Sequence, residues 1–276
     1  MAPMLRDGLL AVALAGILAG AAFVPQSGFG QAPGPAPDCT ERRPTFDHSA
    51  FDRLLSRHVS EDGLVDYAAF AASRTFEDYL DALDCANLET LSPQGRLALW
   101  INAYNAYTIA LIIKHDERKS IRNINKTLGF IKGFGPWKEP IARVGRKAYT
   151  LDEIEHDIIR ETFDEPRIHF ALVCAAVSCP PLRREAYTGE WLDAQLTDQA
   201  SRFLAHSPTQ NRIDVHGTKV LLSPIFKWYR EDFPEGNSAL GQYLAQFYPA
   251  GPPRNLLLSG DFRIEYTEYD WSLNAE

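Results

Sequence analysis

Apolar positions recur at helical spacing in two short stretches, Phe51 to Val59 and Tyr67 to Leu83, which flank the turn signal Glu61-Asp62-Gly63. A stronger pattern follows. Ser92 can cap a helix, Pro93 suits its first turn, and Leu97 to Ile113 is apolar on nearly every side. A helix apolar all round is either buried or spans a membrane, and Asn102 and Asn105 inside this one point to a buried core helix. Ile141 to Val144 and Lys147 to Thr150 flank Gly145-Arg146, which reads as a tight hairpin. Thr150 and Glu153 then form a capping box for a helix over Leu151 to Arg160. Arg167 to Cys174 reads as a strand, ending at Ser178-Cys179-Pro180-Pro181. Thr188 opens a helix with Trp191, Leu192, Leu196, Ala200 and Phe203 on one face. Arg212 to His216 and Lys219 to Ser223 pair as a second hairpin, further helices start at Ser223-Pro224 and Ser238, and Phe262 to Tyr269 is a terminal strand. Helices dominate and strands gather in hairpins. The pattern predicts an α+β fold: a helix-rich single domain with a buried core helix and a small, mostly antiparallel sheet.

At 276 residues with 45% apolar content the chain can bury a substantial core. Its 28 Lys and Arg against 36 Asp and Glu give a net charge of -8, which argues against a general nucleic-acid-binding surface. Charge is distributed unevenly, because residues 114–147 hold ten basic and three acidic side chains, interleaved with Phe130, Phe134 and Trp137. That segment reads either as a cationic rim for an anionic ligand, with Trp137 a candidate for binding it, or as a solvated loop paired with acidic neighbours.

Arg6 precedes an uncharged run from Leu9 to Val24, the length of a secretory core and short for a membrane span. Residues 1–32 are expected to be a signal peptide, 33–44 a Pro-rich linker and 45–276 the folded domain. An uncleaved anchor is the alternative. Export to the periplasm or medium would put all four cysteines where disulfides form. Cys39 with Cys85 is the favoured pair, since both lie outside the unusual segment around Cys174, and Cys179 could instead join Cys174.

No Walker A loop, GxGxxG, HExxH, CxxC or GxSxG motif occurs, and neither a cofactor nor a metal is implied. Candidate chemistry therefore rests on polar residues where apolar ones belong. Asn102 and Asn105 lie near one another on the core helix and must hydrogen-bond, either as a structural clamp or to orient a catalytic imidazole or a substrate carbonyl. Glu155 falls inside the apolar arc of its helix, with His156 on the flank. Cys174 ends the predicted strand and can face a cleft. Strand alternation would turn His169 away from it, about 16 Å distant over five residues at ~3.3 Å each, which leaves His156 as the base and His169 as a substrate contact. The expected site is thus Cys174, His156, Glu155 and Asn102 for catalysis, with Asn105, His169 and Trp137 binding a small-molecule or peptide substrate.

Several segments together resemble the DUF547 family: Leu99-Trp-Ile-Asn-Ala-Tyr-Asn-Ala106, Ser120-Ile-Arg122, Leu151-Asp-Glu-Ile-Glu-His156, Arg167-Ile-His-Phe-Ala-Leu-Val-Cys174 with Ser178-Cys-Pro180, Leu222 to Phe233, and Tyr269-Asp-Trp-Ser-Leu-Asn274. The resemblance runs from about 45 to 275. It implies kinship with exported bacterial proteins and plant proteins of unknown function, and supplies no reaction. A core helix followed by strands would also fit a distant relation to papain-like or transglutaminase-like folds. In those the nucleophilic Cys begins the core helix, and none occurs near residues 92–105. That departure leaves two expectations: a rearranged site in which Cys174 acts in acyl transfer or in hydrolysis of an amide, thioester or peptide, or a non-catalytic binding or scaffold module.

Overall fold

A computed structural model describes residue 39, residues 44–126 and residues 135–276. The expected signal peptide, most of the Pro-rich linker, Phe130 and Phe134 lie outside the described residues. Among the described residues, no helix is long and apolar enough to cross a membrane.

Helices α2 (Tyr67–Ala71) and α3 (Arg74–Asp84) pack on the longest helix, α4 (Pro93–Lys114), and α1 (Ser49–His58) packs on α2 and α3. Ser92 caps α4 as expected, its Oγ accepting from the Gly95 amide at 3.0 Å, and Pro93 occupies the first turn. Residues on every side of α4 are buried, from Leu97 to Ile112, and Asn102, Asn105 and Thr108 are buried with them. This is the buried core helix, at the centre of the larger of two apolar clusters.

The first hairpin pairs β1 (Pro140–Val144) with β2 (Lys147–Thr150) in antiparallel register, with Val144 opposite Lys147. Both turn residues are left-handed, Gly145 at φ +58° and Arg146 at φ +66°, the primed geometry that matches strand twist. The turn is pinned to the end of α3 by Gly145 N–H to Leu83 O and Arg146 N–H to Asp84 O. The capping box forms in both directions, between the Thr150 amide and Glu153 Oε2 (2.7 Å) and between the Glu153 amide and Thr150 Oγ1 (3.0 Å). The helix it starts is wound more widely than expected, with π-turns over Glu153–Arg160. In that winding the backbone hydrogen bonds close from i to i+5, and Ile154, Glu155 and Ile159 are buried.

The second cluster is built by α5 (Leu192–Ala205), α6 (Ile225–Trp228), α7 (Asn237–Ala245) and α8 (Pro252–Ser259) with a three-stranded sheet. There β3 (Arg212–Asp214) pairs antiparallel with β4 (Lys219–Leu222), and β4 pairs parallel with β5 (Arg263–Tyr266). Trp191 does not join the buried face of α5; it stands at the N-cap, 60% exposed.

The expected strand over Arg167 to Cys174 is absent. Pro166–Phe170 is a 3-10 helix, started by Glu165, whose side chain accepts from the Arg167 amide, and by Pro166 in its first turn. The backbone groups a strand would offer a neighbour go to side chains instead. Phe170 O takes Gln199 Nε2 (2.9 Å), Ala171 O takes Asn105 Nδ2 (2.9 Å), and the Val173 amide donates to Asn105 Oδ1 (2.9 Å). Side-chain alternation therefore does not apply to His169 and Cys174.

Both cysteine pairs form, Cys39 with Cys85 and Cys174 with Cys179, at Cα separations of 4.9 and 6.1 Å. The first ties the start of the described chain to the end of α3 across 46 residues. Its removal in a Cys39→Ala/Cys85→Ala protein is expected to lower stability by about 4 kcal/mol, the order set by closure of a loop this long. Equilibrium urea unfolding measures it, and an unchanged midpoint would show that the segment adds nothing to the fold.

Candidate active site

A cavity of about 230 Å³ opens between the two apolar clusters, and Trp137, Glu155, His156, His169 and Cys174 all line it. Four separate segments deliver them, Trp137 coming from the 3-10 turn Pro136–Lys138. Glu155 and His156 come from the π-wound helix, His169 from the 3-10 helix, and Cys174 from the irregular loop that follows it. The C-terminal strap brings Tyr269 and Trp271, held over the loop by Val177 N–H to Ser272 O, Ser178 N–H to Asp270 O and Asn274 N–H to Ala175 O. From α6 and the turn after it come Trp228 and Tyr229.

Glu155 is 7% exposed and sits beside two phenols. Burial, then the nearby Glu155 carboxylate, pushes the Tyr104 and Tyr229 hydroxyls well above the usual phenol range. Both therefore stay protonated at neutral pH. Tyr269 is pushed up in the same direction, first by burial and then by Glu155.

The two histidines are held by one ionic network. His169, 3% exposed, bonds through Nε2 to Asp232 Oδ2 at 2.6 Å and stacks on Tyr229 with ring centroids 4.0 Å apart. Arg160 binds the same Asp232 through Nε (2.6 Å) and Nη2 (2.8 Å), and its Nη1 donates to His156 Nδ1 at 2.8 Å. Burial takes the His169 pKa down to about 4 despite its bond to Asp232. The ring is thus neutral at pH 7, with its proton on Nε2 and Nδ1 left to accept another. Burial also pushes Asp232 upward, but the hydrogen bonds from Arg160 and His169 win and hold it below the usual carboxylate range. His156 is arranged the other way, because an acceptor Nδ1 facing a guanidinium leaves its proton on Nε2, 4.0 Å from Asp152 Oδ1.

Asn102 and Asn105 are not among the cavity's lining residues. Each amide is spent on backbone: Asn102 donates to Tyr187 O (2.7 Å) and accepts from the Tyr187 amide (2.9 Å), while Asn105 grips Ala171 and Val173. They clamp loops to the core helix, and neither is placed to orient an imidazole or to hold a substrate carbonyl.

Cys174 is bonded to Cys179, and both sulfurs lie 3.2 Å from the Tyr269 hydroxyl. While that bond stands Cys174 is not a nucleophile. Of the nine described Lys and Arg in residues 114–147, four pair with acids, Lys114 with Glu139, Arg118 with Asp116, Lys138 with Asp152 and Arg143 with Asp84, and His115 shares Glu139. Arg122 reaches the rim of the cavity and lies over the Trp271 ring at 5.1 Å. The segment thus stays net basic, while the acids Asp152 and Glu155 line the cavity itself.

Sequence reasoning missed Asp232, Tyr229, Tyr269 and Trp271. Asp232 and Tyr229 fall in the segment Leu222 to Phe233, and Tyr269 and Trp271 in Tyr269 to Asn274. Those two stretches stood out as motifs with no role attached.

Residues 88–204 match one family model, described as "Protein of unknown function, DUF547". The match is narrower than the resemblance over 45–275 and leaves out Asp232, Tyr229 and the C-terminal strap. No curated protein matches the chain, and no solved structure does.

Proposed function

We propose, from the match of residues 88–204 to the DUF547 family model, that the chain is an exported protein whose cavity takes a small organic or peptide ligand. With Cys174 as a free thiol, the cavity performs acyl transfer on, or hydrolysis of, an amide, thioester or peptide. One observation carries this reading: Trp137, Glu155, His156, His169 and Cys174, from distant parts of the chain, share one cavity. Export is supported by the Leu9 to Val24 run and the two cysteine pairs.

In this reading the base is His169 rather than His156. His169 is neutral, is oriented by Asp232 through Nε2, and keeps Nδ1 as an acceptor, which is the arrangement of an activated nucleophile's partner. Asp232 replaces Asn102 as the orienting group. His156, with Nδ1 engaged by Arg160, is suited to donating from Nε2. Trp137, Trp228 and Trp271 supply apolar faces for the ligand.

The test uses Cys179→Ser, which leaves Cys174 without a disulfide partner. Treatment with p-nitrophenyl acetate is expected to place one acetyl group on Cys174, and adding His169→Ala should slow labelling on the order of a hundredfold, the usual contribution of a general base. Labelling no faster than that of free glutathione would remove the acyl reading. A non-catalytic ligand-binding module is the second reading, favoured by the Cys174–Cys179 bond and by two asparagines wholly engaged in clamping.

A further inference from the structure

We infer that the Cys174–Cys179 bond is itself a reactive group, a thiol–disulfide exchange centre that reacts with a small thiol or dithiol entering the cavity. The inference rests on the cavity being the functional site, but not on any acyl chemistry there.

The two disulfides differ in what they can do for the fold. Cys39–Cys85 closes a separation of 46 residues, whereas Cys174–Cys179 closes one of 5. Stabilisation by loop closure grows with loop length, so the short bond contributes the less. Its loop is also tied down without it, by the strap's hydrogen bonds to Ala175, Val177 and Ser178. As a staple the bond is nearly redundant. Its position is not, because both sulfur-bearing residues line the cavity.

The sulfurs are unequal in a way that gives the exchange a direction. Cys179 is 4% exposed, while Cys174 is only partly buried and so the more open to attack. Cys179 Sγ also accepts from the Cys174 amide at 3.0 Å. A disulfide sulfur has no proton, so the Tyr269 hydroxyl is the donor, its single proton shared between the two sulfurs, each 3.2 Å away. Cys179 Sγ therefore has the Cys174 amide as well as a share of the Tyr269 proton, and Cys174 Sγ has the share alone. Hydrogen bonds to a forming thiolate stabilise it as a leaving group.

The step is an attack by an incoming thiolate on Cys174 Sγ. The Cys174–Cys179 bond breaks, a mixed disulfide forms on Cys174, and the electron pair passes to Cys179 Sγ, where Tyr269 O–H and the Cys174 amide receive the charge. A second thiol, or the second sulfur of a dithiol, then attacks the mixed disulfide. It leaves as the small-molecule disulfide and Cys174 is released as a thiolate, which takes the proton given up by the thiol. Two thiols are oxidised to one disulfide and the protein pair is reduced by two electrons. The reverse sequence reduces a small-molecule disulfide to two thiols and re-forms the Cys174–Cys179 bond.

The experiment exposes folded wild-type protein to a glutathione redox buffer, traps thiols by alkylation at timed intervals and maps them by peptide mass. The Cys174–Cys179 pair should open and re-form while Cys39–Cys85 stays closed. Tyr269→Phe, which keeps the ring and removes the donor, should slow opening about tenfold, the effect of losing one hydrogen bond to a charged group. As a check independent of that variant, glutathione disulfide should add one glutathione to Cys174 in Cys179→Ser at least about tenfold faster than to Cys179 in Cys174→Ser, following access. A pair that opens only in denaturant, an unchanged rate in Tyr269→Phe, or faster addition at Cys179 would each overturn the inference. Acetylation of Cys179→Ser is read without any exchange. Exchange without acetylation thus removes only the acyl reading, and acetylation without exchange in the wild type removes only this one.

Discussion

Lowering the pH from 7 to 4 is expected to cost the folded protein on the order of 6 kcal/mol through His48 and His169 alone. Both rings are nearly inaccessible, 6% and 3% exposed, and burial takes the pKa of each down to about 4. His48 Nδ1 takes a hydrogen bond from the Tyr79 hydroxyl at 2.8 Å, which a protonated ring would lose. The sign follows from which state binds protons first. The unfolded chain takes them up near pH 6.5 and the folded chain only near 4, so the stabilisation is complete above 6.5 and is lost as the pH falls between those values. Each ring accounts for about 3 kcal/mol at pH 4. Asp232 adds to the loss further down, since its depressed pKa makes its stabilisation present above the ordinary carboxylate value and lost as the pH drops through the folded one. Urea titrations at pH 7, 5.5 and 4 measure the curve, and His48→Gln should flatten it by its own share. Equal stability at pH 7 and pH 4 would mean that both rings accept a proton inside the fold.

Asn105→Leu is expected to lower stability by about 4 kcal/mol, because it leaves Ala171 O and the Val173 amide buried without partners, at roughly 1 to 3 kcal/mol each. The same substitution should disturb the cavity, since Val173 is joined directly to Cys174. Asn102→Leu removes the equivalent pair of bonds to Tyr187 and should cost a similar amount, but Tyr187 does not line the cavity. Urea unfolding of the two variants, alongside the rate at which Cys174–Cys179 opens in each, separates the effects. If Asn105→Leu leaves both stability and opening rate unaltered, the amide is not the clamp that holds residues 171–173.

Local chemistry was legible wherever the decisive contacts lie within a few residues. Ser92 and Pro93 announce the start of α4, Thr150 and Glu153 announce the π-wound helix, and Gly145-Arg146 announces the hairpin turn. Glu155 inside an apolar arc was enough to mark it as buried. The segment Arg167 to Cys174 misled because its composition suits a strand while its hydrogen-bonding partners are the side chains of Asn105 and Gln199, 66 and 29 residues from the carbonyls they bind. No periodicity within the segment records such partners. The same misreading turned His169 away from the cavity, since alternation holds only where a strand exists.

From the sequence alone came the identity of the core helix, the export expectation, the family kinship and a set of polar residues out of place, because caps, turns and amphipathic arcs are written in neighbouring residues. Only the tertiary structure decided which of those residues meet. The bond to Asp232 makes His169 the oriented imidazole, the strap carries Tyr269 to both sulfurs, and Asn102 and Asn105 prove to be clamps rather than ligands of anything in the cavity. Each of these rests on contacts between residues 63 to 95 positions apart, where partners are chosen by how the two apolar clusters pack and not by any spacing along the chain.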